Sequence, residues 1–366
     1  MLAEGGNWRS FRVIRRVRES ETVVSLHLVP ADGGPLAPFE PGQFLTFRLE
    51  GEGGRPVPRN YSISSDPAER THYRISVRRE PGGFGSGVMH DLMQEGALVA
   101  ASGPKGRFTP DRTSGRAVLL LAGGIGITPL LSMAHALARE GTRPVWLIQA
   151  CENGAVMPFG RELADLERRC PSFRHITVLA NPTGADRAAG QHQHEGLVTR
   201  ALLRSVLPLD DYDAYLCGPD PFMQATFDAL LQLGLREEQI AYEFFGPARK
   251  LAPAQAPRAT APVADAPATA VPHSAVAGPQ PAQGSTVTFT LSGRSAVWDG
   301  TQASLLDFAE AQGLSPPFSC RNGICNTCLC SIEGEVSYVE EPLEMPGKGQ
   351  ALLCCSVPEG PVKIRL

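Results

Sequence analysis

Apolar and polar positions follow two different rhythms along the first 245 residues. Residues 7 to 110 carry short alternating runs broken by Gly and Pro, such as Thr22-Val23-Val24-Ser25-Leu26-His27-Leu28 and Tyr73-Arg74-Ile75-Ser76-Val77. A period of two between turn residues predicts half-buried strands, here those of an antiparallel β-barrel. Residues 117 to 245 instead alternate solid apolar runs with amphipathic stretches, which predicts an α/β domain with a parallel sheet. Its expected strands are Ala117–Leu121, Val145–Gln149, Ile176–Leu179 and Ala214–Leu216. The two rhythms meet near Asp111–Arg116. From Leu251 to Gly284 the chain is rich in Ala and Pro and nearly free of charge and aromatic residues, so it cannot bury a core and is expected to be a tether. As a flexible coil these 34 residues span roughly 30 Å, and fully extended about 100 Å. The expected domains are therefore residues 1–112, 113–250 and 285–366, with 251–284 as linker.

Composition adds constraints. The 366 residues suffice for two or three domains, and 42% hydrophobic with 20% charged residues is ordinary for a soluble globular chain. The longest apolar run, Ala117–Ala122, ends at Gly123-Gly124 and reads as a buried strand, so no membrane span is expected. The first residues lack the basic start and apolar stretch of a secretory signal, which predicts a cytoplasmic location. Of nine cysteines, six fall in the last 47 residues, a crowding that suits a metal site better than disulfides in that compartment. From Ser285 onward nine acidic residues face five basic ones. That excess is unsuited to nucleic acid; it suits docking on a basic protein surface, or a merely solubilising one.

Three segments carry flavin chemistry. Arg59-Asn60-Tyr61-Ser62 offers a fork for phosphate, a ring to stack and a hydroxyl for a ring edge. Gly82-Gly83-Phe84-Gly85-Ser86 precedes a short helical stretch to Leu92, where backbone N–H groups could surround a pyrophosphate. Gly103-Pro104-Lys105-Gly106-Arg107-Phe108 follows. In this order the segments resemble the FAD domain of the ferredoxin–NADP reductase superfamily, and in particular the reductase portion of flavohaemoglobins, over most of residues 8 to 250. The resemblance implies Arg59 on a flavin phosphate, with Asn60 beside it in the motif. It also implies Tyr61 stacked on the ring, Ser62 near the reactive N5, and Gly83 and Ser86 at the pyrophosphate. It implies Phe245 as the terminal aromatic covering the nicotinamide face. Gly106-Arg107-Phe108 resembles the FAD branch and differs from phthalate-dioxygenase-type FMN reductases.

Gly123-Gly124-Ile125-Gly126-Ile127-Thr128-Pro129 joins an apolar strand to the amphipathic stretch Leu130–Arg139. Such a turn admits a dinucleotide pyrophosphate to unpaired N–H groups at the helix start. The same family uses this variant, which assigns Gly124, Gly126 and Thr128 to the nucleotide. Its C-G-P segment corresponds to Cys217-Gly218-Pro219 beside the nicotinamide, with Cys217 positional rather than nucleophilic. After the second strand come Ala150, Cys151 and Glu152, with no Arg before Arg161. A carboxylate there suits a free 2′-hydroxyl and predicts NADH over NADPH, unless Glu152 is an ordinary solvated charge.

Cys320, Cys325 and Cys328 have the C-x4-C-x2-C spacing of a plant-type [2Fe–2S] site, with Gly323 letting the loop fold tightly. Zinc would want paired C-x2-C units and more His, whereas the one His after residue 200 is His273 in the linker. Residues from about Thr286 to Leu366 resemble plant-type ferredoxins, an α+β β-grasp-like fold. In Leu353-Cys354-Cys355-Ser356-Val357-Pro358 that resemblance selects Cys355 as fourth ligand and leaves Cys354 and Cys330 as packing residues.

Nicotinamide, flavin and cluster together make a short electron chain. No H-x-E-x-x-H, 2-His-1-carboxylate or Rieske pattern is present in the sequence, so the final acceptor is expected on another protein. The domain order resembles reductase components of bacterial oxygenases, serving Rieske-type demethylases or hydroxylases. Alternatives are the reductase of a hybrid-cluster protein and a redox-sensing iron–sulfur flavoprotein. A nitric oxide dioxygenase would need a globin ahead of the barrel, which begins almost at Met1.

Overall fold

The computed structural model describes residues 8–54, 56–245, 251, 284–318, 323, 327–340, 342 and 345–366. Two compact units emerge, Met1–Leu251 and Ala252–Leu366. The expected tether is outside the described residues from 252 to 283.

The first unit opens with strands β1 (Trp8–Arg18), β2 (Val23–Pro30), β3 (Phe44–Glu50), β4 (Pro56–Ser62) and β5 (Tyr73–Arg78), helix α1 (Phe84–Asp91) and strand β6 (Leu98–Lys105). The strands pair antiparallel in the order β4-β3-β6-β1-β2-β5, and a bridge between Ile63 and Ile75 joins the two ends into a barrel. Alternation sends Phe11, Val13, Leu26, Leu28, Leu45, Phe47, Tyr73 and Ile75 inward, all nearly inaccessible to solvent. The barrel thus follows the period-two pattern.

A parallel sheet follows. Its elements are β7 (Ala117–Gly123), α2 (Ile127–Glu140), β8 (Val145–Cys151), α3 (Gly160–Arg169), β9 (Phe173–Leu179), α4 (Gly184–Ala189), β10 (His194–Glu195), α5 (Arg200–Val206), β11 (Tyr212–Cys217), α6 (Asp220–Gln232) and β12 (Ile240–Glu243). The order is β10-β9-β8-β7-β11-β12, with β7 buried along its whole length because helices cover both faces. Each strand foreseen from the apolar runs is present and extends a residue or more beyond its foreseen limits. Helix α2 starts at Ile127 rather than Leu130, since Pro129 in the first turn forfeits no intrahelical bond. It stops at Gly141, whose φ of 62° makes the left-handed cap.

The second unit comprises β13 (Ser285–Phe289), β14 (Arg294–Trp298), α7 (Leu305–Ala311), β15 (Leu329–Glu333), β16 (Val336–Tyr338), β17 (Gln350–Leu352), β18 (Ser356–Pro358) and β19 (Val362–Ile364). Five strands form a mixed sheet in the order β14-β13-β19-β15-β17, with β13 and β19 parallel, and β16 pairs with β18. Ser304 caps α7 by accepting the Asp307 N–H. The helix buries Leu305, Leu306 and Phe308, and Phe308 lies 5.2 Å from the Trp298 ring and 6.3 Å from Phe289. One helix packed on a mixed sheet is the α+β arrangement expected. Among the described residues no helix is long and apolar enough to cross a membrane.

Candidate functional site

Strand β4 brings together the flavin motif. It pairs with β3 so that Asn60 faces Thr46 and Tyr61 faces Leu45. Alternation puts Arg59 and Tyr61 on one face and Asn60 and Ser62 on the other. Thr46 Oγ1 donates to Asn60 Oδ1 at 2.9 Å, fixing that side chain within the sheet, and Ser62 is buried at the strand end. The first turn of α1 lies on the Arg59/Tyr61 face. A Cβ added to Gly85 would sit 2.9 Å from Arg59 Cγ and 3.0 Å from Tyr61 Oη, so only glycine permits this approach. Gly83 starts the helix without a side-chain cap. The first turn, with its unpaired N–H groups, thus packs on the Arg59 stem, while the guanidinium donates to the Pro58 carbonyl at 2.8 Å; an arginine beside a helix start suits a phosphate. Burial, against the pull of Arg59, pushes the Tyr61 phenol up to about 12 and keeps it neutral. Ser86 Oγ accepts from the Glu80 N–H at 3.0 Å and donates to the Gly83 carbonyl at 3.2 Å. Its hydroxyl thus shapes the glycine turn.

The nucleotide turns meet where the strand order reverses. β7 and β11 are adjacent, with Ala122 opposite Cys217, and their connections leave in opposite directions across the sheet. There the two glycine turns interlock. A Cβ on Gly126 would strike the Cys217 carbonyl and lie 2.7 Å from Gly218 N, and one on Gly218 would lie 2.9 Å from Gly123 Cα. Gly124 takes φ of 53°, and Thr128 Oγ1 donates to the Ile125 carbonyl at 3.1 Å, locking the entry into α2. Pro219 starts the approach to α6. Glu152, at the end of β8, is exposed and accepts from Asn181 Nδ2 at 2.7 Å, while the Asn181 amide holds the Glu152 carbonyl at 2.8 Å. Arg161 is exposed on α3.

Cys217 is buried completely, and burial, with Glu243 nearby, pushes its thiol well up, so it stays protonated and packs. Phe245 follows β12 with 48% of its surface exposed, available to cover a ring.

Sequence reasoning passed over two residues here. Glu243 pairs across from Cys217, and its Oε2 is buried with no hydrogen-bond partner among the described residues. Burial pushes its carboxyl up to about 8, so it is neutral at pH 7. No local sequence signal marked it, since the burial comes from the pairing with Cys217. Arg78, at the end of β5, extends from the barrel to the nucleotide turn, its Nη1 3.6 Å from the Cβ position of Gly124. It also pairs with Glu80.

In the second unit Cys328, Cys354 and Cys355 are buried. Cys320 and Cys325 lie outside the described residues. Gly323, between them in sequence, takes φ of 67°; a Cβ there would lie 2.8 Å from Cys355 Sγ. Its amide donates to Cys354 Sγ at 3.3 Å, whereas the Cys355 thiol points at the Leu352 carbonyl at 3.6 Å. Both adjacent thiols thus reach Gly323. The buried Cys354 and Cys355 thiols against Gly323 suit an iron–sulfur cluster, although the described residues alone gather no set of three ligands, and the Arg59/α1 cradle and the orphaned Glu243 carboxyl suit a flavin and a nicotinamide.

Three family models match in this order: an oxidoreductase FAD-binding domain over residues 13–109, an oxidoreductase NAD-binding domain over 120–228, and a 2Fe-2S iron-sulfur cluster binding domain over 289–359. The flavohemoprotein of Rhodopirellula baltica is 40% identical over 258 residues, 67% of this chain and 63% of its own length. That of Bordetella pertussis is 39% identical over 250 residues, 66% of this chain and 62% of its own. The chain thus spans under two thirds of these relatives, matching their reductase part. The FAD/NAD-binding domain of a nitric oxide dioxygenase from Vibrio cholerae is 33% identical, with TM-score 0.59, covering 65% of this chain and 99% of that one. Phthalate dioxygenase reductase shares the fold over 98% of both chains, with TM-score 0.56 and 24% identity. The chain belongs to the ferredoxin–NAD(P)H reductase superfamily, as an NAD(P)H-dependent oxidoreductase with FAD-binding, NAD-binding and C-terminal [2Fe–2S] domains.

Proposed function

We propose that the chain is the NADH-dependent reductase component of a separate oxygenase, a Rieske-type demethylase or hydroxylase, which it supplies with electrons through its own C-terminal domain. The observation that carries this reading is the order of parts. The flavohemoprotein-like module is followed by a [2Fe–2S] domain, and the fold of phthalate dioxygenase reductase accounts for both. Bound FAD supplies the change from two-electron hydride chemistry to one-electron release toward a cluster.

Arg59 and the α1 N-terminus neutralise the flavin phosphates, Tyr61 packs against the ring system, and Ser62 offers a hydroxyl to its edge. Gly124, Gly126 and Thr128 shape the turn that takes the dinucleotide pyrophosphate. Cys217, Gly218 and Pro219 form the wall of the nicotinamide pocket, and Phe245 excludes water from it. Glu152, oriented by Asn181, binds the adenosine ribose and favours NADH over NADPH, by about tenfold in kcat/KM. Cys320, Cys325 and Cys328 hold the cluster. The resemblance to plant-type ferredoxins selects Cys355 as the fourth ligand; the Gly323 amide on Cys354 Sγ favours its neighbour as a second reading.

NADH-driven reduction of cytochrome c and of a purified Rieske oxygenase component tests the function. Both should proceed with the full chain. Reduction of ferricyanide alone, with no transfer to either protein, would contradict the reading. Cys355→Ser is expected to abolish iron incorporation with ferricyanide activity retained, and Cys354→Ser to be mild. The reverse outcome moves the ligand to Cys354.

A further inference from the structure

Strand β5 crosses from the barrel to the parallel-sheet domain at a second point, away from the glycine turns. Arg74, with 11% of its side chain exposed, makes a forked contact to Glu162 of α3: Nη1 to Oε2 at 2.8 Å and Nη2 to Oε1 at 2.9 Å. Nη2 also donates to the Ser64 carbonyl at 2.5 Å. His135, in the middle of α2, donates from Nε2 to the same Glu162 Oε1 at 2.6 Å. Beneath the guanidinium, 5.2 Å away, lies the ring of Phe159. Phe159 caps α3 with φ of 65°, among the described residues the one side-chain-bearing residue in the left-handed region. An aromatic residue is held in that region only where its surroundings over-determine it.

The ends of this network matter for chemistry. Ser64 is two residues beyond Ser62, and its amide donates to the Arg74 carbonyl at 2.8 Å. His135 lies on the helix that opens at the Gly124–Gly126 turn. One guanidinium therefore ties the strand end that carries the flavin-edge hydroxyl to the helix that receives the dinucleotide. Burial would raise Glu162, but hydrogen bonds from His135 and Arg74 outweigh it and bring the carboxyl down to about 2, so Glu162 is a carboxylate across the working range.

We propose that Arg74 is a positioning residue for hydride transfer, fixing through Glu162 and His135 the distance between the flavin edge and the nicotinamide pocket. The proposal rests on the reading of this site as an NADH-to-flavin reductase. Hydride transfer is steep in distance, and a shift of about 1 Å costs up to about 100-fold in rate. Dinucleotide binding at the glycine turns should respond much less, because no member of the network belongs to them.

The test uses the full flavin-loaded chain and five variants: Arg74→Met, Arg74→Lys, Glu162→Gln, the double variant Arg74→Met/Glu162→Gln and, as control, Arg168→Met on the exposed side of α3. Stopped-flow absorbance gives the limiting rate of flavin reduction and the Kd for NADH, and hydrogen exchange reports residues 62–78 and 159–169. Arg74→Met should lower the limiting rate about tenfold or more with Kd changed less than about threefold. Exchange should accelerate in both segments, and Arg74→Lys should lie between because it lacks the fork. The double variant with Glu162→Gln should be no worse than either single one. Glu162→Gln keeps the test open if Arg74→Met fails to retain flavin. An unchanged limiting rate in Arg74→Met and Glu162→Gln, even with faster exchange, overturns the proposal and leaves a structural tie only. A wild-type chain whose flavin NADH does not reduce would instead contradict the function itself, whatever the variants do.

Discussion

At the scale of single residues, Glu243 concentrates the chemistry that the pattern of the chain concealed. Its carboxyl is raised to about 8 by burial, against 4.5 when solvated. The folded state therefore holds a proton that the unfolded state releases as pH climbs through that window, and stability falls with rising pH between about 4.5 and 8. Glu243→Gln is neutral at every pH and escapes the penalty. The stability of Glu243→Gln relative to wild type should grow from pH 5 to pH 8, by an amount on the order of a few kcal/mol. Denaturant titrations at the two pH values measure it, and a difference that stays constant with pH would show that the carboxyl is solvated. Nothing local in Tyr242-Glu243-Phe244-Phe245 announces the burial, because it arises from pairing with Cys217, a partner 26 positions away. Arg74 and Glu162 were equally hidden, being ordinary charges until the fold joins them across a separation of 88 residues. Tyr61 and Gly126 were placed more readily, since each stands in a short motif that the structure brings against a glycine turn.

At the scale of elements, hydrophobic periodicity was a sound guide to type and a poorer one to limits. β7 and β8 are solid apolar runs because helices flank them on both sides, and β2 and β5 alternate because one face meets solvent or the barrel rim. Helix starts shifted where Pro129 entered the first turn. What the glycine spacing left unspecified is that two separate turns share one space: Gly126 packs on the backbone of Cys217 and Gly218. Gly126→Ala should therefore push the β7–α2 and β11–α6 connections apart, with a stability loss of about 1–3 kcal/mol and a weakened NADH affinity. Isothermal titration with NAD⁺ and a thermal melt check both. Wild-type affinity and Tm would mean that the turns are less closely interlocked than the structure places them.

At the scale of the whole molecule, an FAD/NAD module and a [2Fe–2S] domain are separated by the Ala/Pro-rich stretch 252–283, whose composition sets its reach. A cluster facing the flavin cannot at the same moment face an external acceptor, so the sequence argues for a domain that moves between the two. Removing about 20 residues of that stretch should leave flavin reduction by NADH intact and slow transfer to a protein acceptor, while small dyes react as before. Full-rate transfer by the shortened chain would make the stretch a spacer only. Passage of electrons from NADH to the cluster within one chain is the central claim, and freeze-quench paramagnetic resonance tests it directly. After anaerobic mixing with NADH, the signal of a reduced [2Fe–2S] cluster should rise to about one spin per chain, following the bleaching of the flavin. A flavin that bleaches fully while the cluster signal stays absent would contradict it.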